Sequence, residues 1–357
     1  MPILSLGEAK KYRDFFPFRS LNRIFAQNKT LNQMKKIIGI GNALTDVLAK
    51  VDDEQILADL ALPKGSMQLI DESRLPVIRQ AMSRMDVSRA TGGSAANSML
   101  ALANLGTCPG FIGKTGNDET GSFYAANATA KGIVPTLVKS TLPSGIAHTF
   151  ITPDGERTFA TYLGAAGAMQ ADDLDSRMFE GYDYLYIEGY LVQNHALILR
   201  AIELAEKHAL KICIDLASYN IVAAEHDFFE ELLTKNVDIV FANEEEARAY
   251  AGREPGEALE MLAGACETAV VKLGAKGSAV RHKGEKTFVE SFGSKPVDTT
   301  GAGDYYAGGF MYGMLQGWNM ERCAKAGTLL AGHVIGNIGA TLPDTEWEEV
   351  RAAIKKL

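Results

Sequence analysis

Cysteine is scarce in this chain: four in 357 residues, Cys108, Cys213, Cys266 and Cys323, far apart and without a CxxC pair. That usage excludes a disulfide framework and a cysteine zinc site, and reads as buried thiols in a reducing, cytoplasmic compartment. Six histidines show no metal-ligand spacing. Long apolar runs are absent as well. No stretch of 18 apolar residues occurs and the mean hydropathy is -0.04, so a soluble chain with no membrane span is expected. Positive charge is in deficit. A net charge of -8 gives no global basic field for nucleic acid. Internal repeats and low-complexity tracts are also missing.

What the chain has is length and apolar content. With 357 residues and 46% hydrophobic residues it can bury one large α/β core, with or without a small appendage. The first 36 residues stand apart: eight Lys or Arg oppose Glu8 and Asp14, a local charge of +6. Arg19 and Arg23 interrupt any secretory apolar core. Residues 1–36 read as a flexible basic extension, an organelle-targeting segment or an over-long start, with Met34 as an alternative beginning. The domain proper is expected over 37–357.

Short apolar runs alternate with helical patterns. KIIGIG (36–41), GFIG (110–113), YLYIE (184–188), KICID (211–215), DIVFA (238–242) and AVVKL (269–273) read as strands, several of them buried on both faces. Residues 94–106, 194–210 and most of 304–356 read as helices, with Asn194 as an N-cap. Such alternation predicts βαβ units and a parallel sheet. Two stretches depart from it. Residues 144–164 alternate at period two around Pro153-Asp154-Gly155, and 45–70 are strand-like and rich in turns. Together they form either a small β lid over a cleft or an ordinary pair of surface hairpins.

Three glycine signals compete for the chemistry. Gly39-Ile40-Gly41 follows a strand, but a dinucleotide fingerprint needs Gly where Leu44 stands. Gly113-Lys114-Thr115 resembles the end of a P-loop, but Cys108 occupies the position of its first Gly. The third, DTTGAGDYYAGGF (298–310), is a loop of small residues that leads into a helical pattern. Backbone N–H groups at a helix start attract anions, so Gly301, Ala302 and Gly303 are candidates to hold a phosphoryl group. Asp304 beside them would repel an anion. It makes sense as a general base for an attacking alcohol. Taken alone, Asp304 could be a helix N-terminal charge. Gly308 and Gly309, inside the helix, indicate close packing against neighbours.

TGGSAANSMLALANLG (91–106) and DTTGAGDYYAGGF resemble the two signatures of the ribokinase-like, or PfkB-type, carbohydrate kinases. ANEEEA (242–247) and VVKLGAKGSAV (270–280) resemble that family's N-x-x-E and nucleotide segments, in the family's order. Within the family, GIGNALTD (39–46), YIEGYL (186–191) and AGHVIGNIGATLP (331–343) lean towards the adenosine kinases, although Glu188 places a charge where an apolar residue is common. The resemblance implies a three-layer parallel-sheet fold with a small β lid. It also implies transfer of the γ-phosphate of ATP to a primary hydroxyl of a nucleoside, adenosine foremost. The alternative is a sugar: ribose, fructose or a keto-deoxy sugar acid.

By the same resemblance Asp46, Gly92, Gly93 and Asn97 bind the acceptor, and Asp46 suits two neighbouring hydroxyls of a ribose. Arg157 on the hairpin would reach a phosphate on closure. Lys272, Gly274, Gly277 and His333 line the ATP site. Asn243 and Glu246 orient Mg²⁺ through water, although Glu244, Glu245 and Glu246 alone could be a solvated helix start. A monovalent cation such as K⁺ is a further expectation near Asp298. The partners implied are small molecules, with no nucleic acid or membrane, in a monomer or homodimer. A non-catalytic nucleotide sensor and a dehydrogenase built on Gly39-Ile40-Gly41 are the competing classes.

Overall fold

The structure is a computed structural model that describes residues 34–293 and 295–357; most of the basic N-terminal extension lies outside the described residues. In chain order the strands are β1 (Ile37–Ile40), β2 (Leu44–Lys50), β3 (Met67–Leu69), β4 (Val87–Gly92), β5 (Gly110–Gly116), β6 (Val134–Ser140) and β7 (Gly145–Ile151). They continue with β8 (Arg157–Tyr162), β9 (Tyr184–Glu188), β10 (Lys211–Asp215), β11 (Ile239–Asn243), β12 (Thr268–Lys272), β13 (Ser278–His282) and β14 (Glu285–Val289).

Nine strands form the main sheet in the order β14-β13-β12-β11-β10-β9-β1-β5-β6. From β12 to β6 every pairing is parallel. Along these strands, side chains alternate between faces. Ile38, Ile40, Leu185, Ile187, Ile214 and Val240 join one core with the helix His195–Lys207 and its neighbours. Ile37, Tyr184, Tyr186, Cys213, Phe241 and Val270 join the other with helices Ser94–Asn104 and Ala302–Leu315. Both faces are covered, so the strands carry no polar alternation and read as continuous apolar runs. The result is the expected three-layer α/β architecture.

The differences lie at the edges. The sheet is not wholly parallel, because β12, β13 and β14 form an antiparallel meander. Edge strand β6 carries Pro135, a residue that an edge tolerates. Its half-exposed polar mixture hid it in the sequence.

The stretches 45–70 and 144–164 do belong to one second sheet, of order β3-β8-β7-β2-β4. It also takes in β4, and a short helix, Gln55–Asp59, interrupts the first stretch. Val47, Ala49, Ile146 and Phe150 pack with Leu57 and Ile78 in a small separate core. Asp46 alternates with Val47 and so faces the opposite side of β2, together with half-buried Leu44 and Leu48.

The helix glycines have the expected packing role. A Cβ at Gly308 would lie 2.7 Å from the Ala101 Cβ, and one at Gly309 would lie 2.5 Å from the Ala326 carbonyl oxygen. All four cysteines are free, and Cys213 and Cys323 are buried. Cys108 is exposed, contrary to expectation. Among the described residues no helix is long and apolar enough to cross a membrane.

Candidate active site

Parallel strands end together, and their carboxyl ends gather polar residues. Glu188 ends β9, Asp215 ends β10, Asn243 ends β11 and Lys272 ends β12. Register places Glu188 beside Asp215, and Asn243 beside Lys272. In open α/β sheets this edge is where ligands bind. The N-terminus of the Ala302 helix arrives at the same edge.

Asp304 lies in that helix's first turn and is held from the Ser94 helix. Ser94 Oγ donates to its Oδ1 at 2.6 Å and Asn97 Nδ2 to its Oδ2 at 2.9 Å. Burial pushes the carboxyl up to about 7, against the pull of those two donors, with Asp215 adding to the rise and Lys272 opposing it. A carboxylate that titrates near neutrality and sits at an open strand edge is suited to general base work.

The phosphoryl-binding candidates adjoin it. Gly301 caps the helix in the left-handed region, at φ 76°, where glycine carries no Cβ penalty. The Ala302 N–H turns back to the Thr299 carbonyl at 3.2 Å, so it is committed locally and the expected three-amide hole is reduced. Among the described residues no backbone carbonyl takes the Gly301 or Gly303 N–H. A Cβ at Gly303 would lie 3.1 Å from Lys272 Nζ. The absent side chain thus leaves open a space bounded by helix amides and an ammonium. Lys272 is partly buried, its side chain 13% exposed, and paired with Asp215 at 2.8 Å. Burial disfavours its charge, but Asp215 and Glu246 overcome that and raise its pKa.

Arg157 is not a surface residue of a hairpin. It is 8% exposed, and its Nη1 pairs with Asp298 at 2.9 Å and approaches Thr300 Oγ1 at 3.3 Å. Its Nη2 has no hydrogen-bond partner. Asp298 also accepts the Thr300 and Gly339 N–H groups, at 2.9 and 2.7 Å. Arg157 therefore supplies positive charge at the place where a monovalent cation is expected from the sequence.

Asn243 and Glu246 form a reciprocal capping box on helix Glu244–Ala251, not a solvated start. Glu246 accepts from the Asn243 N–H at 2.7 Å and from its Nδ2 at 2.6 Å. Burial pushes Glu246 up to about 7, with Lys272 opposing and Asp215 reinforcing. A carboxyl raised by burial and by a neighbouring carboxylate, at a strand edge, suits a nearby cation. With both Glu246 oxygens already accepting N–H groups, the fit is to a hydrated Mg²⁺ held through water. The one cluster of three potential His, Cys or carboxylate ligands among the described residues, His226, Asp227 and Glu230, is half-buried to exposed and includes none of these side chains.

The acceptor candidates meet each other. A Cβ at Gly92 would lie 2.4 Å from both Asp46 carboxylate oxygens, and one at Gly93 would lie 2.1 Å from the Asn42 carbonyl oxygen. At these two glycines the space that a side chain would need is taken by protein groups. Asn97 gives one N–H of its amide to Asp304. Asp46 is pushed up to about 7 by burial, and Arg157 pulls the other way.

Of the nucleotide candidates, Gly274 borders open space, whereas a Cβ at Gly277 would meet the Val289 carbonyl oxygen at 2.0 Å. Gly277 is therefore required where the chain passes the end of β14. His333 Nδ1 contacts Glu346 Oε1 at 2.9 Å, and its ring stacks on that of half-exposed Phe292, with centroids 5.3 Å apart.

Sequence reasoning missed Ser94 and Asp215. Ser94 reads as an ordinary helix-start serine. Asp215 ends a strand, and position at a parallel carboxyl end is the signal that could have found it.

The pfkB family carbohydrate kinase model matches residues 67–347. Adenosine kinase 2 of Arabidopsis thaliana is 29% identical over 86% of this chain and 96% of its own length. A 5-dehydro-2-deoxygluconokinase of Bacillus velezensis is also 29% identical, over 70% of this chain and 81% of its own. Among solved structures, an adenosine kinase from Sinorhizobium meliloti superposes with a TM-score of 0.78 at 33% identity, covering 91% of this chain and 99% of that one. A probable sugar kinase from Rhizobium etli gives 0.79 at 31%, with the same coverage. The family match spans most of the chain and takes in both ends of the strand-edge site: the chain belongs to the pfkB family of carbohydrate kinases, phosphotransferases with alcohol acceptors.

Proposed function

We propose that the acceptor is the ribose of a nucleoside, adenosine foremost, phosphorylated on its 5′-hydroxyl by ATP. The observation that carries this reading is the surroundings of Asp46. Its carboxyl shares one side of β2 with half-buried Leu44 and Leu48, two residues away in each direction. A polar anchor between apolar side chains suits a diol that carries a base, whereas a free sugar needs polar partners all round. The similarity to adenosine kinases over nearly the whole chain supports the same reading.

In this reading Asp46 accepts from the ribose hydroxyls, and Asp304 takes the proton of the 5′-hydroxyl as it attacks. Gly301, Gly303 and Lys272 face the charge that spreads over the transferring group. Asn243 and Glu246 would hold Mg²⁺ through water, and the ion would supply charge neutralisation along the phosphates. The base of ATP lies beside Gly274 and the Phe292–His333 pair. Within the kinase domain 37–357 the second sheet, formed largely by 45–70 and 144–164, acts as a lid, and closing it excludes the water that would otherwise hydrolyse ATP.

A sugar acceptor is the second reading, favoured by the equally similar gluconokinase. A panel of adenosine, inosine, ribose, fructose and keto-deoxy sugar acids in an ADP-release assay decides between them. The highest kcat/KM is expected for adenosine. A higher value for any free sugar contradicts the proposal.

A further inference from the structure

One buried acid at the strand edge has no role in the chemistry above. Glu188 is 2% exposed and ends β9. Its Oε1 accepts from Asn42 Nδ2 at 2.6 Å and from the Asn42 N–H at 3.3 Å, and its Oε2 accepts from the Ala95 N–H at 3.0 Å. Ala95 is in the first turn of the Ser94 helix, so Glu188 satisfies an otherwise orphaned amide at that helix's positive end. The chain makes room for it: a Cβ at Gly41 would lie 2.5 Å from Oε2. The same first turn supplies both donors that hold Asp304.

We propose that Glu188 is a positioning residue for phosphoryl transfer: by joining Asn42 to the Ala95 amide it fixes the helix turn whose Ser94 and Asn97 orient Asp304. Only a carboxylate meets donors on both of its oxygens in this arrangement. An amide presents N–H groups on one side, towards either Asn42 or Ala95. The inference rests on Asp304 being the base.

Glu188 faces Asp215 from β10, Tyr124 from the helix Glu119–Ala130, and Tyr190. Asp304 faces Asp215 and Lys272 from the strands, with Tyr186 and Tyr305 beside it. The Ser94 and Asn97 donors favour its charged form. Misplacing them moves the pH at which Asp304 gains its proton upwards.

The test is the pH dependence of kcat at saturating ATP and acceptor. Glu188→Asp keeps the charge but is one methylene too short to span both partners, and Ser94→Ala removes one donor directly. In both variants the acidic limb is expected to move to higher pH by about half a unit or more, with the KM for ATP little changed. A limb that stays at the wild-type position in Glu188→Asp, whatever its Tm, overturns the proposal.

If Glu188→Asp does not fold, Glu188→Gln decides. Loss of a nearby negative charge alone would move the limb down, so an upward shift supports the positioning role, and a downward shift or none overturns it. Turnover retained in Asp304→Asn would instead remove the base assignment, a failure distinct from this one.

Discussion

Asp46, Glu246 and Asp304 are carboxyls each pushed up to about 7, in every case first by burial. A group whose folded pKa lies above its unfolded value stabilises the fold fully below the unfolded pKa. It loses that contribution as pH rises through the folded one. For Asp304 the window runs from the ordinary 3.8 to about 7. Asp304→Asn cannot ionise, so its Tm relative to the wild type is expected to climb across that window and then level off. Thermal melts of the two proteins across the window check this. A Tm difference that is flat or falls with pH would show that the Asp304 carboxyl is not held near neutrality. Such a strained group is retained because the site needs it, not because the fold does.

The Ala302 helix shows how one element serves packing and chemistry together. Its first-turn Gly303 leaves space beside Lys272, and its mid-helix glycines admit neighbouring helices. Gly309→Ala drives a Cβ towards the Ala326 backbone and is expected to destabilise by about 1–3 kcal/mol. Gly264→Ala, in the helix Pro255–Ala265 with no heavy atom within 4 Å of its new Cβ, is expected to stabilise by about 0.5–1 kcal/mol. Denaturant unfolding checks both. The same sign for the two substitutions would contradict this account of helix packing.

Element scale is also where legibility divides. The central strands were readable, because burial on both faces leaves an uninterrupted apolar run, and Asn194 does accept from the Leu197 N–H as the predicted N-cap. The half-exposed strands β4 and β6 were not readable, because edge position mixes polar and apolar residues. The glycine loop and Asp304 stood out through local spacing. The partners of Asp304 did not: Ser94 and Asn97 lie more than 200 positions away in the chain, and only folding brings them to it.

At the scale of the molecule, the two sheets have separate cores. The Arg157–Asp298 pair ties β8 of the smaller sheet to the loop that leads into the Ala302 helix, and both side chains are under 10% exposed. Arg157→Gln is expected to speed amide exchange in β7 and β8 by about tenfold or more, while β9, β10 and β11 keep their protection. Uniform change across both sheets, or none, would show that the pair is not what joins them.

The central claim is that Asp304 deprotonates the incoming hydroxyl beside the helix N-terminus. Single-turnover phosphoryl transfer by Asp304→Asn with Mg-ATP and adenosine tests it most directly. The account predicts a rate lowered by about 10²–10⁴ with ATP affinity little changed; transfer at close to the wild-type rate would contradict it.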